Sequence, residues 1–469
     1  MGGFFGVASK SDCVRELFYG TDYHSHLGTM RGGMALLKDR SFKRSIHNIE
    51  NAYFRNKFEP DLAEFEGNTG IGVISDTDAQ PLVLNSHLGR FGIVTVSKIN
   101  NTTELAELAF KHKNYFTETS GDDINPTELV AVTICEQGSY ADGLAYAQEM
   151  VKGSCSILLL TEQGLYASRD KLGRTPIILG KKDGAYAVSS ESCAFLNLGY
   201  VEEYCLGPGE IVLITPGGVE HIKAPGERMQ VCSFLWVYYG YPTSNYEGIN
   251  VEYVRYRCGN ALGRNDSMPA DIVSGIPDSG IGHAIGYANE RHIAYMRPYV
   301  KYTPTWPRSF MPQNQEMRDL VAKMKLIPNR TLIEGKRLVF CDDSIVRGTQ
   351  LKDNVQILYS CGASEIHMRV ACPPLVYPCE FLNFSRSRSS LDLASRTAMK
   401  DLGVDPDKCD CLAEYANADS EKYAEMVECI RKRLKLTTLK YQRLDDLVDA
   451  IGLPKDKLCT HCWDGSSYM

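Results

Sequence analysis

Between residues 250 and 375 of this 469-residue chain, short apolar runs alternate with helix-like stretches, and no other feature limits the fold as sharply. A helical stretch over 252–264 precedes the apolar run PADIVSGIP, which turns into the helical DSGIGHAIGYANE. A second run, KRLVFCD, leads through a loop into QLKDNVQILYSCG, and a third, EIHMRVACPP, closes the series. Strands that each return through a helix pair in parallel, so this half is expected to be a parallel sheet of βαβ units. Ligands on such sheets bind beyond the carboxyl ends of the strands. There the second run ends in adjacent carboxylates, Asp342 and Asp343, followed by Ser344, Arg347, Gly348 and Thr349. Acids make poor partners for phosphate but suit the hydroxyls of a ribose, or a Mg2+ ion carrying a pyrophosphate. An Asp-capped turn is the plain alternative. The hydroxyls and backbone N–H groups of the turn itself suit phosphate.

The first 230 residues read differently. Short β-rich segments (GIGVIS, PLVLNS, GIVTVS, CSILLLTEQGLYASRD, TPIILGKKDGAYAVSS, GEIVLITPGG) are split by turn signals and mixed with helical stretches at 103–114 and 127–151. That mixture suggests an α+β layered domain. From 386 onward the chain reads as largely helical and more charged, and the length as a whole calls for two or three domains. A net charge of −7 and a pI near 5.9 argue against a nucleic-acid surface, which needs clustered cations. The densest basic run, RKRLKLTTLK at 431–440, reads as a solvated helix face. No run approaches the ~20 apolar residues of a membrane span. MGGFFGVASKSD fits neither a signal peptide nor a myristoylation motif, so a cytoplasmic protein is expected. In a reducing compartment the 16 cysteines are mostly small core residues. Cys409 and Cys411 form a C-x-C pair with no assignable role. Cys459 and Cys462 form a C-x-x-C, compatible on its own with redox chemistry, zinc, an iron–sulfur cluster or chance.

The extended string LVFCDDSIVRGTQL resembles the phosphoribosylpyrophosphate (PRPP) loop of type I phosphoribosyltransferases. GIPDSGIGHAIGYA (275–288), RSFMPQNQEMRDLVAKMKLIPN (308–329) and CPPLVYPCEF (372–381) are similar to successive blocks of the glutamine PRPP amidotransferase family. That family, the amidophosphoribosyltransferases, makes phosphoribosylamine at the start of purine synthesis. The resemblance implies an N-terminal αββα sandwich of the N-terminal-nucleophile glutaminase type over 1–230. It further implies an α/β phosphoribosyltransferase domain over 231–385, and a helical extension with cluster-ligand cysteines over 386–469. By the same resemblance, Asp342 and Asp343 would hold the ribose diol and Mg2+, with Ser279 also near the metal. The turns Asp278-Ser279-Gly280 and Ser344 to Thr349 would cradle pyrophosphate and 5′-phosphate. Lys301 and Arg308 would belong to a catalytic loop whose charge stabilises the departing pyrophosphate. Here KYTPTWPRSF is longer than the family pattern and lacks its usual Gly before the Arg. Cys232, Cys379, Cys459 and Cys462 match the ligands of a four-iron four-sulfur (4Fe-4S) cluster found in some members, where it would tie the tail to both domains.

The same resemblance exposes what the front half lacks. The family's nucleophile is a Cys freed as the first residue; Gly2 stands in its place and has no side chain to attack an amide. Ser75 replaces the Arg that holds the glutamine carboxylate. VTVSKINN has lost the Asn-Gly of the oxyanion hole, and NPTE, with Pro126, replaces the Asp-bearing stretch that binds the substrate amine. Glutamine hydrolysis at this site is expected to be lost. Two readings follow. One is a transferase from PRPP to ammonia, the ammonia coming from solution, a partner glutaminase or an intact homologue. The other is a non-catalytic PRPP- or nucleotide-binding subunit of such a homologue. A homo-oligomer is implied by the family alone.

Overall fold

The computed structural model describes residues 2–120, 123–302, 326–383 and 393–468. Small and large apolar residues share the first strand, Gly3–Ser9, and every residue of it is buried. Burial of both faces requires cover on both sides, and the strand has it. It sits inside a seven-stranded antiparallel sheet, in spatial order Val201–Cys205, Ile178–Lys182, Ala185–Ser189, Gly3–Ser9, Thr69–Ser75, Arg31–Lys38 and Ser41–Asn48. Facing it is a six-stranded antiparallel sheet, Gly218–Lys223, Ile211–Thr215, Gly164–Ser168, Gly153–Thr161, Gly89–Ile99 and Leu82–Ser86. Phe4, Ile71 and Val73 from one sheet meet Val94, Leu158 and Leu165 from the other in a shared apolar layer. The helix Val14–Asp22 packs on the outer face of the first sheet, and Pro126–Ile134 with Tyr140–Met150 on that of the second, giving the expected αββα sandwich.

The helical stretch expected over 127–151 is two helices. Ser139 is extended and its hydroxyl accepts from the Asp142 N–H at 3.1 Å, so the second helix begins with its own cap.

In the second half the alternating runs form a parallel sheet, in order Ile272–Gly275, Arg337–Asp342, Glu365–Val370 and Thr438–Tyr441. The last strand corrects the reading of 431–440 as one helix face, since only 431–434 are helical; the described tail is otherwise largely helical, as expected. The helix Glu421–Leu434 stops at Lys435, which is left-handed (φ 57°), and the chain re-enters the sheet beside His367–Val370. Leu439 and Tyr441 point inward while Lys440 is exposed, a period of two that four residues are too few to announce. One apolar core runs from Phe5, Phe54 and Phe195 through Trp236 and Tyr246 to Val339 and Ile366, so the sandwich and the parallel sheet share an interior. Cys409 and Cys411 are joined, their Cα atoms 5.2 Å apart. Among the described residues no helix is long and apolar enough to cross a membrane.

Candidate functional site

The carboxyl ends of Ile272–Gly275 and Arg337–Asp342 lie side by side, and glycine lets the loops beyond them touch. The Ile276 N–H donates to the Cys341 carbonyl at 2.9 Å, and a Cβ on Gly280 would stand 2.2 Å from that same oxygen. This approach carries Ser279 across to the acid pair, its hydroxyl donating to Asp342 Oδ1 at 3.4 Å. The Asp343 N–H also donates to Asp342 Oδ1, at 3.0 Å, and the Ser344 hydroxyl donates to Asp343. Burial raises both carboxyls above their usual range, and for Asp342 the charge of Asp343 adds to it.

The Arg255 guanidinium offsets part of the charge on Asp343 from beneath the site. It is fixed there by bonds to the carbonyls of Trp236 (3.0 Å), Tyr238 (3.0 Å) and Gly240 (2.8 Å). Sequence reasoning missed Arg255, whose only signal was a cation on the buried side of the helix Val251–Arg264. The fit to Mg2+ is good: that ion is commonly held by one or two carboxylates plus substrate phosphates, and these acids lack a full counter-charge. Among the described residues, no three His, Cys, Asp or Glu side chains close on a single ion.

Gly348, at φ 77°, turns the chain after Arg347 into the helix Thr349–Ser360, whose first N–H groups open toward the same loop. Lys301, at the end of the strand Tyr299–Lys301, is ion-paired with Asp278 on the neighbouring loop. Arg308 lies outside the described residues.

In the first domain, Gly2, Ser75 and Thr95, with the segment Leu382–Asn383, line a cavity of about 20 Å3. That is room for about one water molecule. A Cβ on Gly2 would come within 2.6 Å of the Ile74 carbonyl oxygen. The polar groups around the cavity satisfy one another. Asp78, 2% exposed, accepts from Thr77 Oγ1 (2.6 Å), Gln80 Nε2 (3.0 Å) and Thr127 Oγ1 (2.5 Å), with Ser75 Oγ at 3.4 Å. Pro126 is the first residue of its helix, capped by Asn125 Oδ1 on the Thr127 N–H at 2.9 Å, and it does not line the cavity.

Residues 69–197 match the family model of a glutamine amidotransferase domain. The amidophosphoribosyltransferase of Archaeoglobus fulgidus is 34% identical over 321 residues, covering 68% of this chain and 70% of that protein. The chain belongs to the amidophosphoribosyltransferase family. The Methanothermobacter thermautotrophicus member is 29% identical over 474 residues, 99% of this chain and 93% of its own. Among solved structures, glutamine PRPP amidotransferase from Bacillus subtilis, complexed with ADP and GMP, superposes with a TM-score of 0.83 at 27% identity, over 99% of this chain and 96% of that one.

Within the amidophosphoribosyltransferase fold, the four cysteines singled out in the sequence come together where the tail meets both halves. The short strands Val231–Cys232 and Leu458–Cys459 pair in parallel, with Cys232 opposite Cys459. Cys379 and Cys462 are hydrogen-bonded to each other, and that bond lowers the Cys379 thiol to about 6, helped by the backbone N–H groups of Phe381 and Leu382. Burial, then the charges of Cys459 and Cys379, raises the Cys232 thiol, while the bond to Cys379, then burial and the neighbouring cysteines, raises that of Cys462. These thiols are not spaced for one ion, but a four-iron cluster takes one thiolate per iron and so spreads its ligands more widely. The donor set, thiol-only, with Cys232 and Cys459 buried, Cys379 and Cys462 half-buried, and partly supplied with N–H partners, fits such a cluster.

Proposed function

We propose that this chain transfers phosphoribosyl from PRPP to ammonia, forming phosphoribosylamine for purine biosynthesis, and that its glutaminase domain, residues 1–230, no longer hydrolyses glutamine. The observation that carries the transferase reading is the meeting of Ser279 with Asp342 and Asp343 at the ends of adjacent parallel strands. A sheet with no ligand has no reason to place a carboxylate pair there, one of them buried, without a matching cation. In the reaction the ammonia lone pair forms a bond to C1 of the ribose while the bond from C1 to the pyrophosphate oxygen breaks. Pyrophosphate leaves, and the new ammonium centre gives a proton to solvent. C1 becomes cationic and negative charge gathers on the leaving group. Positioning and charge stabilisation therefore matter more than a general base.

Asp342 and Asp343 hold the ribose diol and, with Ser279, Mg2+, which when bound neutralises the pyrophosphate. The loop from Asp278 to Gly280 takes the pyrophosphate, and Ser344, Arg347, Gly348 and Thr349 take the 5′-phosphate. Lys301 and Arg308 supply charge to the leaving group; for Lys301 this requires exchange of its Asp278 partner for the substrate. The transferase unit, residues 231–385, is completed by the strand from the tail at 386–469. Cys232, Cys379, Cys459 and Cys462 hold a 4Fe-4S cluster that staples the tail to both domains. Ammonia reaches the cytoplasmic protein free in solution or from a partner glutaminase or intact homologue, and the chain assembles with copies of itself.

The test is pyrophosphate release by anaerobically purified protein given Mg2+ and PRPP, with ammonia at high pH and separately with glutamine. Release is expected with ammonia only, and should fall by about 100-fold or more on Asp342→Asn with Asp343→Asn, the scale of losing preorganised charge at a reacting centre. Release with glutamine sinks the reading of the first domain. Silence with both, in protein that still binds PRPP, sinks the transferase and leaves a ligand-binding subunit.

A further inference from the structure

One segment, Cys379–Asn383, runs between the cysteine corner and the small cavity beside Gly2, and it is tied at both ends. At its start, Cys379 Sγ accepts from the Leu382 N–H at 3.3 Å, inside the corner. Along its length the first domain holds its backbone: Lys98 Nζ donates to the Cys379 carbonyl, and Asn100 Nδ2 to that of Glu380 at 2.8 Å. Phe381 lies beneath the Arg174 guanidinium, 3.5 Å from the ring centroid. The same guanidinium donates to Gln230 Oε1 at 3.0 Å and to the Tyr468 carbonyl at 2.9 Å. At its far end Asn383 Nδ2 donates to the Ser97 carbonyl at 3.2 Å. Leu382, 3% exposed, and Asn383 form the cavity wall together with Gly2, Ser75 and Thr95.

We propose that Cys379–Asn383 is a plug held by the cysteine corner, sealing the vestigial amide pocket so that integrity of the corner and closure of the pocket are one coupled equilibrium. It rests on the reading that the first domain no longer turns over glutamine, and not on transferase activity. The physical argument is chain length. Three residues separate Cys379 from Asn383, and the backbone between them is bonded at successive carbonyls, so no slack remains to free one end while the other stays seated. Linkage then makes the effect reciprocal: whatever stability the corner lends the plug, the plug contacts lend the corner. Leu382 and Asn383 also line the cavity beside Gly2 and Ser75, which gives the changed side chains there a structural counterpart.

The test is hydrogen–deuterium exchange by mass spectrometry on the full-length protein, with the corner dismantled in two ways, by an iron chelator under reducing conditions and by Cys379→Ser. Exchange is expected to rise about tenfold, within the usual range of coupling between sites, in peptides covering 92–99 and 70–77 as well as in 376–383. In the reverse direction Lys98→Met with Asn100→Ala, both at the rim of the sandwich, should speed alkylation of Cys379 and Cys462 by iodoacetamide several-fold, read peptide by peptide. That arm works whether or not iron is present and stands if Cys379→Ser fails to fold. Exchange that rises in 376–383 alone, or cysteine reactivity unchanged in the double variant, overturns the coupling. Glutamate formed from glutamine by the unmodified protein would instead overturn the reading beneath it.

Discussion

Position 2 carries more information in its surroundings than in its letter. That Gly2 has no side chain to attack an amide is plain from the sequence, and the resemblance to the family marks Ser75 and NPTE as departures from its glutamine-binding pattern. What the letters do not carry is the space: a Cβ there would stand 2.6 Å from a backbone oxygen of Ile74, in the centre of a sheet buried on both faces. Main-chain atoms in such a strand have no rotamer by which to yield. Gly2→Cys is therefore expected to leave glutamate release from glutamine at background and to destabilise the protein by about 1–3 kcal/mol, the usual cost of overpacking. A glutaminase assay and a thermal melt of the variant check both; glutamate above background would mean the pocket can reopen around a thiol. The acid pair shows the opposite balance. Asp342 and Asp343 stood out as a candidate ligand site only with the resemblance of the string around them, whereas Arg255, which offsets charge on Asp343, carried little signal because its role depends on three carbonyls in another segment.

Among elements, the parallel sheet was readable from its first three strands because each is an apolar run and the first two lead into helices. The fourth, Thr438–Tyr441, was not, since two inward side chains beside a basic run carry almost no periodic signal. Its place is fixed by tertiary contacts centred on Asp266, which follows the helix Val251–Arg264. Asp266 pairs with buried Arg369 on the third strand, accepts from Tyr287 OH at 2.8 Å and meets Lys440 of the fourth at 3.2 Å. Burial alone would raise this carboxyl, but the Arg369 guanidinium and the Tyr287 hydroxyl overcome it and hold it well below the usual range. A carboxylate so depressed contributes stability that is present above about pH 4, its unfolded range, and is lost as pH falls through the folded value. Asp266→Ala leaves Arg369 buried and unpaired, so a loss of about 3–5 kcal/mol is expected at pH 7, with a smaller deficit at pH 2–3. Urea titrations at both pH values measure this; a deficit that stays constant would assign the loss to packing rather than charge.

At the scale of the whole molecule, the two halves share an apolar core, and each buries a histidine that resists protonation. In the sandwich, His24 is fully enclosed with Nδ1 bonded to the Gly20 carbonyl at 2.8 Å. Burial lowers it to about 4, more than nearby Glu191 raises it. In the transferase half His283, against the Val237 carbonyl at 3.3 Å, is lowered to about 3 by burial and then by Arg255. Both folded values lie below the unfolded ~6.5. Between those limits the unfolded chain binds more protons, so stability is full above pH 6.5 and declines as pH falls toward 4, before most carboxylates titrate. For His24 alone that amounts to roughly 3 kcal/mol. Because the core is continuous, the loss should appear as one cooperative transition moving to lower temperature, not as early melting of one half. His24→Gln is expected to be less stable than the unmodified protein at pH 7 but to lose less between pH 6.5 and 4. His283→Gln should flatten the same transition by a similar amount, although the two rings lie in different layers of the fold. Thermal melts at half-unit steps of pH on the three proteins decide it. Parallel slopes would mean the imidazoles find protons without unfolding, and two separate transitions would mean the shared core does not bind the halves into one unit.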